Sequence, residues 1–130
     1  MQENFTIEIL SPDKTFLKSQ VSEVEIPSYE GLLGILKDHV PLITFLRPGF
    51  IKFKENNKDK IYFVEDGIVE FINNNLLILS PTVRDLDSFK QTDIKSIVND
   101  AKKAITNESL SDKEKYILSY KIATLEEINW

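Results

Sequence analysis

Apolar and polar residues alternate along most of the first 83 positions, as in β-strands that bury one face. Phe5, Ile7 and Ile9 share one parity, and Thr6 and Glu8 share the other. Residues typical of turns interrupt the alternation at positions 11–14, 47–49, 56–59, 66–67 and 73–75. Many short strands separated by turns predict a sandwich or a barrel, because closing or doubling a sheet buries its apolar face and hides its edges.

After residue 81 the apolar residues recur every three or four positions, which indicates an amphipathic helix. The apolar positions of this helix are Ile94, Ile97, Val98, Ala101 and Ile105. We expect Thr92 or Asp93 to cap its first turn, since both side chains accept hydrogen bonds from free backbone N–H groups.

A second helix is predicted after a break at residues 107–110. Ser111 and Glu114 have the spacing of a capping box, and the apolar stripe that follows consists of Leu118, Ile122 and Leu125. Short helices are marginal alone, so this helical hairpin must pack on the strands or on a partner. The sequence therefore predicts a mainly β fold with an added α part: a β-sandwich at residues 1–84 and an antiparallel two-helix hairpin at residues 85–130.

The stretch YEGLLGILKDHVP, residues 29–41, differs from the regular alternation. It contains two of the four glycines and the only histidine of the chain. Because glycine tolerates positive φ, Gly31 and Gly34 are expected to allow a tight reversal. We therefore predict an exposed loop with a defined shape, suited to contact with a partner.

Composition excludes several classes of function. The formal charge of -5 argues against a nucleic-acid-binding protein, which needs clustered basic residues. The 130 residues include no cysteine, so disulfides and thiolate nucleophiles are excluded. No apolar run approaches the roughly 18 residues of a membrane-spanning helix.

Little in the sequence suggests catalysis. Asp38 and His39 are the only neighbours that resemble an acid–base pair, and no nucleophile motif accompanies them. One histidine without cysteines or spaced carboxylates lacks the ligand count for zinc. The pair of glycines at positions 31 and 34 lacks the Gly-Lys-Ser/Thr ending of a phosphate-binding loop. The chain is therefore not expected to be an enzyme by itself, and a hydrolase built on Asp38 and His39 is the weakest hypothesis.

Several short motifs, in one order over nearly the whole chain, resemble the epsilon subunit of bacterial F-type ATP synthases, which is called delta in mitochondria. The motifs are Glu30-Gly31, Gly34-Ile35-Leu36, His39, Pro41-Leu42, Leu46-Arg47-Pro48-Gly49 and Gly67-Ile68-Val69-Glu70. The resemblance implies the same division into a β-sandwich and a helical hairpin that the periodicity predicts.

The resemblance also implies a function. The chain would be a non-catalytic subunit of the central stalk, which couples proton translocation to ATP synthesis and lies at the cytoplasmic face of the bacterial inner membrane through its complex alone. Its sandwich would bind the gamma subunit, and its glycine stretch would contact the c-ring. The residues placed at this interface are Tyr29, Glu30, Gly31, Leu32 and His39.

The resemblance further implies that the hairpin reaches the alpha and beta subunits and restrains ATP hydrolysis. Some members bind ATP through Ile/Leu-Asp-x-x-Arg-Ala, which aligns here with Thr92, Asp93 and, in place of the arginine, Ser96. A hydroxyl does not replace the charge and the several donors of a guanidinium, so no bound cofactor is expected. The acidic end, with Glu126 and Glu127, implies weak inhibition. The alternative is a free-standing β-sandwich that binds a small ligand or regulates another protein.

Overall fold

The computed structural model describes residues 4–12 and 14–128, residues 14–16 by their backbone alone. Within this part of the chain, ten strands precede two α-helices. The strands are β1 (Phe5–Ser11), β2 (Lys14–Val21), β3 (Glu23–Ser28), β4 (Gly31–Leu36), β5 (Leu42–Leu46), β6 (Gly49–Glu55), β7 (Lys58–Val64), β8 (Gly67–Ile72), β9 (Asn75–Leu79) and β10 (Arg84–Asp85). A short 3₁₀ helix (Leu86–Ser88), α1 (Gln91–Ile105) and α2 (Asp112–Glu126) follow. This architecture confirms the predicted β-sandwich followed by two helices.

The strands form one hydrogen-bonded path that folds over on itself. Its order is β10-β7-β6-β3-β5-β8-β9-β1-β2, and β4 pairs with β3 outside this path. In the strand register β3 meets β5 at the pair Ser28–Leu46. The two halves of the sheet turn their apolar faces toward each other around one core. Phe5, Ile35 and Phe71 are almost fully buried between them.

Two hairpins follow the predicted turn chemistry. The two-residue turns Asn56-Asn57 and Asn73-Asn74 join β6 to β7 and β8 to β9. All four asparagines have φ between 50° and 63°. Positive φ at both central residues is the geometry that favours asparagine in such hairpins. The turn predicted at residues 11–14 includes Asp13, which lies outside the described residues.

The glycine stretch is a strand rather than the predicted loop. Residues 31–36 form β4, which pairs antiparallel with β3 from Ser28–Gly31 to Glu23–Leu36. Gly31 has a φ of 124° at the turn between the two strands, whereas Gly34 lies in mid-strand and its φ is not positive. The predicted reversal at Gly34 is therefore wrong, because a turn at residues 29–30 suffices and β3 offers a complete set of backbone partners.

Helix α1 begins earlier than predicted. Its N-cap is Lys90, which makes no side-chain capping bond, and Asp93 lies inside the first turn. The predicted caps at Thr92 and Asp93 are therefore wrong. Phe89 precedes the cap and shares an apolar cluster with Ile94, which is the hydrophobic staple that fixes a helix start without a polar cap.

Helix α2 has the predicted capping box. The Ser111 Oγ accepts from the Glu114 N–H at 3.1 Å, and the Ser111 N–H donates to Glu114 Oε1 at 3.4 Å. Leu125 and Ile94 belong to the same cluster, so the end of α2 meets the start of α1 and the helices are antiparallel. Neither helix of the described part of the chain has the length and hydrophobicity of a membrane-spanning segment.

A second apolar core joins the helices to the sandwich. It consists of Phe63, Phe89, Ile94, Val98 and Leu125, with Phe50, Leu86, Ile97, Ile122 and Ile128 packed around it. Phe50 and Phe63 are opposite each other on β6 and β7, on the face turned away from the sandwich core. The helical hairpin therefore covers the outer face of β6 and β7.

Candidate interaction surfaces

The five residues predicted at one interface lie at two ends of β4. Tyr29, Glu30, Gly31 and Leu32 form the tip of the β3–β4 hairpin, whereas His39 follows the opposite end of the strand. At about 3.3 Å per residue, the five steps of β4 separate its ends by about 17 Å. The structure therefore brings the first four residues together and places His39 apart from them.

The hairpin tip is exposed and touches α2. Leu32 is 66% exposed, and Glu30 is exposed as well. The Tyr29 N–H donates to the Phe45 carbonyl at 3.2 Å, while its ring stacks on Tyr116 with a centroid distance of 6.3 Å. The tip is thus tied to β5 by its backbone and to the helical hairpin by one ring.

The other end of β4 is joined to the β8–β9 turn. Asp38 has a φ of 65°, its N–H donates to Asn74 Oδ1 at 2.7 Å, and Asn74 Nδ2 donates to Asp38 Oδ1 at 3.0 Å. The His39 ring packs edge-on against Phe71 with its Nδ1 2.7 Å from the Val40 carbonyl oxygen. The contacts of Asp38 and His39 are separate, so the geometry gives no support to a catalytic pair.

An exposed apolar surface crosses β5, β8 and β9. We call it the outer apolar face, and it consists of Ile43, Phe45, Ile68, Ile72 and Leu79, which are 42–71% exposed. Ile68 lies directly between Phe45 and Leu79 in the strand register, so three apolar side chains form a row across three strands. Contiguous apolar surface of this kind marks interaction sites on soluble proteins.

The outer apolar face was not identified as a site from the sequence, although a signal existed. Residues 42–46, LITFL, have only one polar member, and an unbroken apolar run is typical of a strand buried on both faces. In this chain the inward side chains of β5 reach the core, while its outward side chains Ile43 and Phe45 remain exposed. The helical hairpin covers β6 and β7 instead.

The three residues that align with the nucleotide-binding motif lie in the first two turns of α1. Thr92, Asp93 and Ser96 are all exposed there. Within residues 4–12 and 14–128, no three His, Asp or Glu side chains are grouped to hold a metal ion.

Residues 4–85 match the family model described as the β-sandwich domain of the ATP synthase delta/epsilon chain. The chain belongs to this family. It is 42% identical to the ATP synthase epsilon chain of Pelagibacter ubique (strain HTCC1062) over 130 residues, which cover 99% of this chain and 100% of the relative. It is 31% identical to the epsilon chain of Brucella anthropi over 113 residues, which cover 86% of this chain and 84% of the relative.

Two solved structures that match this fold come from mitochondrial ATP synthases. A chain from the Euglena gracilis mitochondrial ATP synthase (OSCP/F1/c-ring) matches with a TM-score of 0.77 and 19% identity, covering 95% of this chain and 79% of that chain. A chain from the central stalk/c-ring of the Tetrahymena thermophila mitochondrial enzyme matches with a TM-score of 0.63 and 15% identity, covering 97% and 96%. At these identities the likeness shows a shared fold alone.

Proposed function

We propose that this chain is a non-catalytic subunit of the rotating central stalk of an F-type ATP synthase, where it couples proton translocation through the c-ring to ATP synthesis. Its family membership supports this role, as does the origin of its structural neighbours in a c-ring assembly and in a central stalk. The observation that carries the proposal is the outer apolar face, which this chain leaves uncovered and a stalk partner would bury.

The outer apolar face is the proposed surface for gamma. Burial of an exposed apolar side chain contributes about 1.5–3 kcal/mol, so a few such residues supply much of a stable contact. Ile43 is 71% exposed and Phe45 is 56% exposed, and both project from a strand whose inner side chains are fixed in the core. A rigid strand that presents large apolar groups is pre-organised for binding, which lowers the entropic cost of association.

The hairpin tip is the proposed contact with the c-ring. Tyr29, Glu30, Gly31 and Leu32 lie together at the end of a two-strand hairpin, and Leu32 is largely exposed. His39 lies at the opposite end, next to Val40, which is 69% exposed, and near the start of β5. We therefore assign His39 to the gamma side of the interface.

The helical hairpin is the proposed route to the alpha and beta subunits, with weak restraint of ATP hydrolysis. Its end carries Glu126 and Glu127, both exposed, and these charges do not favour an acidic partner. We expect no nucleotide site at Thr92, Asp93 and Ser96, because no cationic side chain replaces the missing arginine of the motif. The proposed location is the cytoplasmic face of a bacterial inner membrane, which the chain reaches through its complex.

A pull-down with the gamma subunit of the same organism tests the proposal. We expect the full chain, and a chain truncated after Val83, to retain gamma, because the outer apolar face lies entirely within the sandwich. Ile43→Glu and Phe45→Glu should each weaken binding by at least about tenfold, since either places a charge in an apolar contact.

Leu32→Glu is the matched control, because Leu32 is 66% exposed but lies at the hairpin tip, outside the outer apolar face. It should leave gamma binding unchanged. Failure of the well-folded full chain to bind gamma would contradict the stalk role and would favour an independent ligand-binding module. Equal losses for the Leu32 and Ile43 variants would place the gamma contact elsewhere.

A further inference from the structure

Strand β4 pairs with one strand alone, β3, among the residues that the structure describes. In a sheet, a strand with a neighbour on one side leaves the backbone N–H and C=O groups of its other side without strand partners. Strand β4 is therefore an edge strand, and its unpaired side offers hydrogen bonds to a further strand.

The hydrogen bonds of Pro27 show which residues of β4 face the unpaired side. The Pro27 carbonyl accepts the N–H of Arg47, the residue after β5, at 3.0 Å, and Pro27 lies opposite Leu32 in the register. Backbone groups of two opposite residues in an antiparallel pair point either toward each other or both away. Since those of Pro27 point to β5, those of Leu32 point away from β3, as do those of Gly34 and Leu36 at every second position. We call the backbone N–H and C=O groups of these three residues the free edge.

The free edge is open to solvent. Gly34 is exposed, and since it has no side chain the exposed atoms are those of its backbone. Leu32 and Leu36 are 66% and 57% exposed. The Leu36 carbonyl accepts the His39 N–H at 3.1 Å, and a carbonyl oxygen has a second lone pair for another donor. A second strand can therefore reach all three residues.

The two ends of the main strand path are protected against strand addition, whereas β4 is not. Strand β10 has only two residues, and β2 carries the exposed Lys18 and pairs with β1 through a register shift between Ile9 and Leu10. Short length, lysines and bulges are devices that keep edge strands from pairing. The six residues of β4, GLLGIL, include no charge and no proline, and their register with β3 is regular. Addition of a strand is therefore favoured at β4.

The sequence of β4 is nearly symmetrical about Gly34. An antiparallel copy of β4 with Gly34 opposite Gly34 brings Leu32 of each copy opposite Leu36 of the other, and Leu33 opposite Ile35. The free edges of both copies then face each other in hydrogen-bonded pairs, flanked by apolar cross-strand pairs. At the centre no side chains meet. A two-fold interface requires such self-complementarity, so the strand that fits this edge is a second copy of the same strand.

We propose that the free chain forms a two-fold symmetric dimer in which the β4 strands of two copies pair antiparallel about Gly34. The dimer goes beyond the stalk role and does not use the outer apolar face, so failure of either proposal leaves the other standing. Because it covers Leu32 of the hairpin tip, the dimer is a state of the chain outside its complex.

Sedimentation equilibrium of the full chain, between about 10 μM and about 1 mM, tests the proposal. The mean mass should rise with concentration from 15.0 kDa toward twice that value. A mass of 15.0 kDa over the whole range would overturn the proposal. The free edge would then stay open or receive a strand of a different protein.

Gly34→Pro is the sharpest variant, because it removes one N–H of the free edge from each copy. Proline is tolerated in an edge strand where the N–H faces solvent, so the bonds between β4 and β3 should remain. The dimer should dissociate at least about tenfold more readily, since two hydrogen bonds are lost. Gly34→Ala is the matched control, because it keeps the N–H and the nearest atom to its Cβ is 3.9 Å away. Equal dimerisation of both variants would contradict pairing at Gly34.

Leu36→Lys is a second variant, which places a charge opposite Leu32 of the other copy and leaves every N–H in place. It should also weaken the dimer at least about tenfold. Its control is Ile68→Lys, because Ile68 is 44% exposed and lies in the outer apolar face. Loss of the dimer in Ile68→Lys and not in Leu36→Lys would place the interface on the outer apolar face and overturn the proposal. Urea unfolding of dilute samples verifies that each variant is folded.

Residue-resolved amide exchange by NMR identifies the paired edge directly. Below the midpoint of dimerisation, the amides of Leu33 and Ile35 should be protected by β3, whereas those of Leu32, Gly34 and Leu36 should exchange fast. Above the midpoint all five should be protected. A dimer that leaves the three free-edge amides unprotected would contradict pairing through β4.

Discussion

At the scale of single residues, Gly31 and Gly34 have opposite requirements. Gly31→Ala should destabilise the chain by about 1–3 kcal/mol, because φ is 124° there, although nothing crowds the added Cβ. Gly34→Ala should be neutral or stabilising by up to about 1 kcal/mol, since Gly34 is in a strand and the nearest atom to an added Cβ is 3.9 Å away. Urea unfolding of both variants measures the difference. Equal losses would show that Gly34 is needed for more than its backbone.

Tyr62 makes stability depend on pH in the alkaline range. Burial raises its pKa above 10.0, and Asp85, Glu55 and Asp87 raise it further. As pH rises through about 10, the unfolded chain loses this proton before the folded chain. The contribution of Tyr62 to the free energy of unfolding is therefore complete below that pH and falls above it.

The Tyr62→Phe variant lacks the titrating hydroxyl. Between about pH 8 and pH 10.5 its free energy of unfolding should therefore fall less than that of the unmodified chain. Urea unfolding of both proteins at several pH values measures this difference, and the titration of lysines common to both cancels. Parallel stability curves across the range would contradict the assignment.

At the scale of elements, the capping box controls the start of α2. Ser111→Ala should destabilise this helix by about 1 kcal/mol, because the Glu114 N–H loses its acceptor. Ser119→Ala is the matched control on the same helix, since the Ser119 hydroxyl only bonds back to the Lys115 carbonyl. The control should be neutral or slightly stabilising. Exchange of the first α2 amides measures both effects, and equal behaviour would show that the cap is dispensable.

The elements that sequence could predict are those fixed by local chemistry. Paired asparagines define two hairpins, and Ser111 with Glu114 defines the start of α2, because each needs only its own neighbours along the chain. Strand β2, which pairs with β1, was not predicted. The two glycines of β4 predict a loop, because glycines usually mark turns, whereas its pairing with β3 depends on tertiary structure.

The candidate surfaces were predictable only in part. The resemblance placed Tyr29 to Leu32 in one segment, and the structure shows them together at a hairpin tip. It groups His39 with them, as the ends of a loop would be, whereas the strand β4 separates His39 from the tip. The outer apolar face depends on which side of the sheet the helical hairpin covers, and no local pattern specifies that choice.

At the scale of the whole molecule, the chain has two apolar cores that share no residue. The sandwich core draws all its residues from positions up to Val83, whereas the second core joins Phe63 of β7 to the helices. A chain truncated after Ser88 retains β10 and the whole sandwich core. We therefore predict that it folds, which tests the proposed division between residues 1–84 and 85–130. Loss of cooperative unfolding in this truncated chain would mean that the helical hairpin is part of one indivisible domain.

Phe50 reports whether the two cores are energetically separate. Its ring lies 6.2 Å from that of Phe63 and packs against the second core. In the full chain, Phe50→Ser should cost about 1–3 kcal/mol, because a partly buried ring is lost. In the chain truncated after Ser88 the ring loses the helices and keeps its neighbour Phe63, so the cost of the substitution should be smaller than in the full chain. Urea unfolding of four proteins, the two chain lengths with and without the substitution, measures both costs. An equal cost in both chain lengths would place the ring's main contact on the sandwich. A difference would show that the helical hairpin stabilises the sandwich through β6 and β7, on the side away from the surface proposed for gamma.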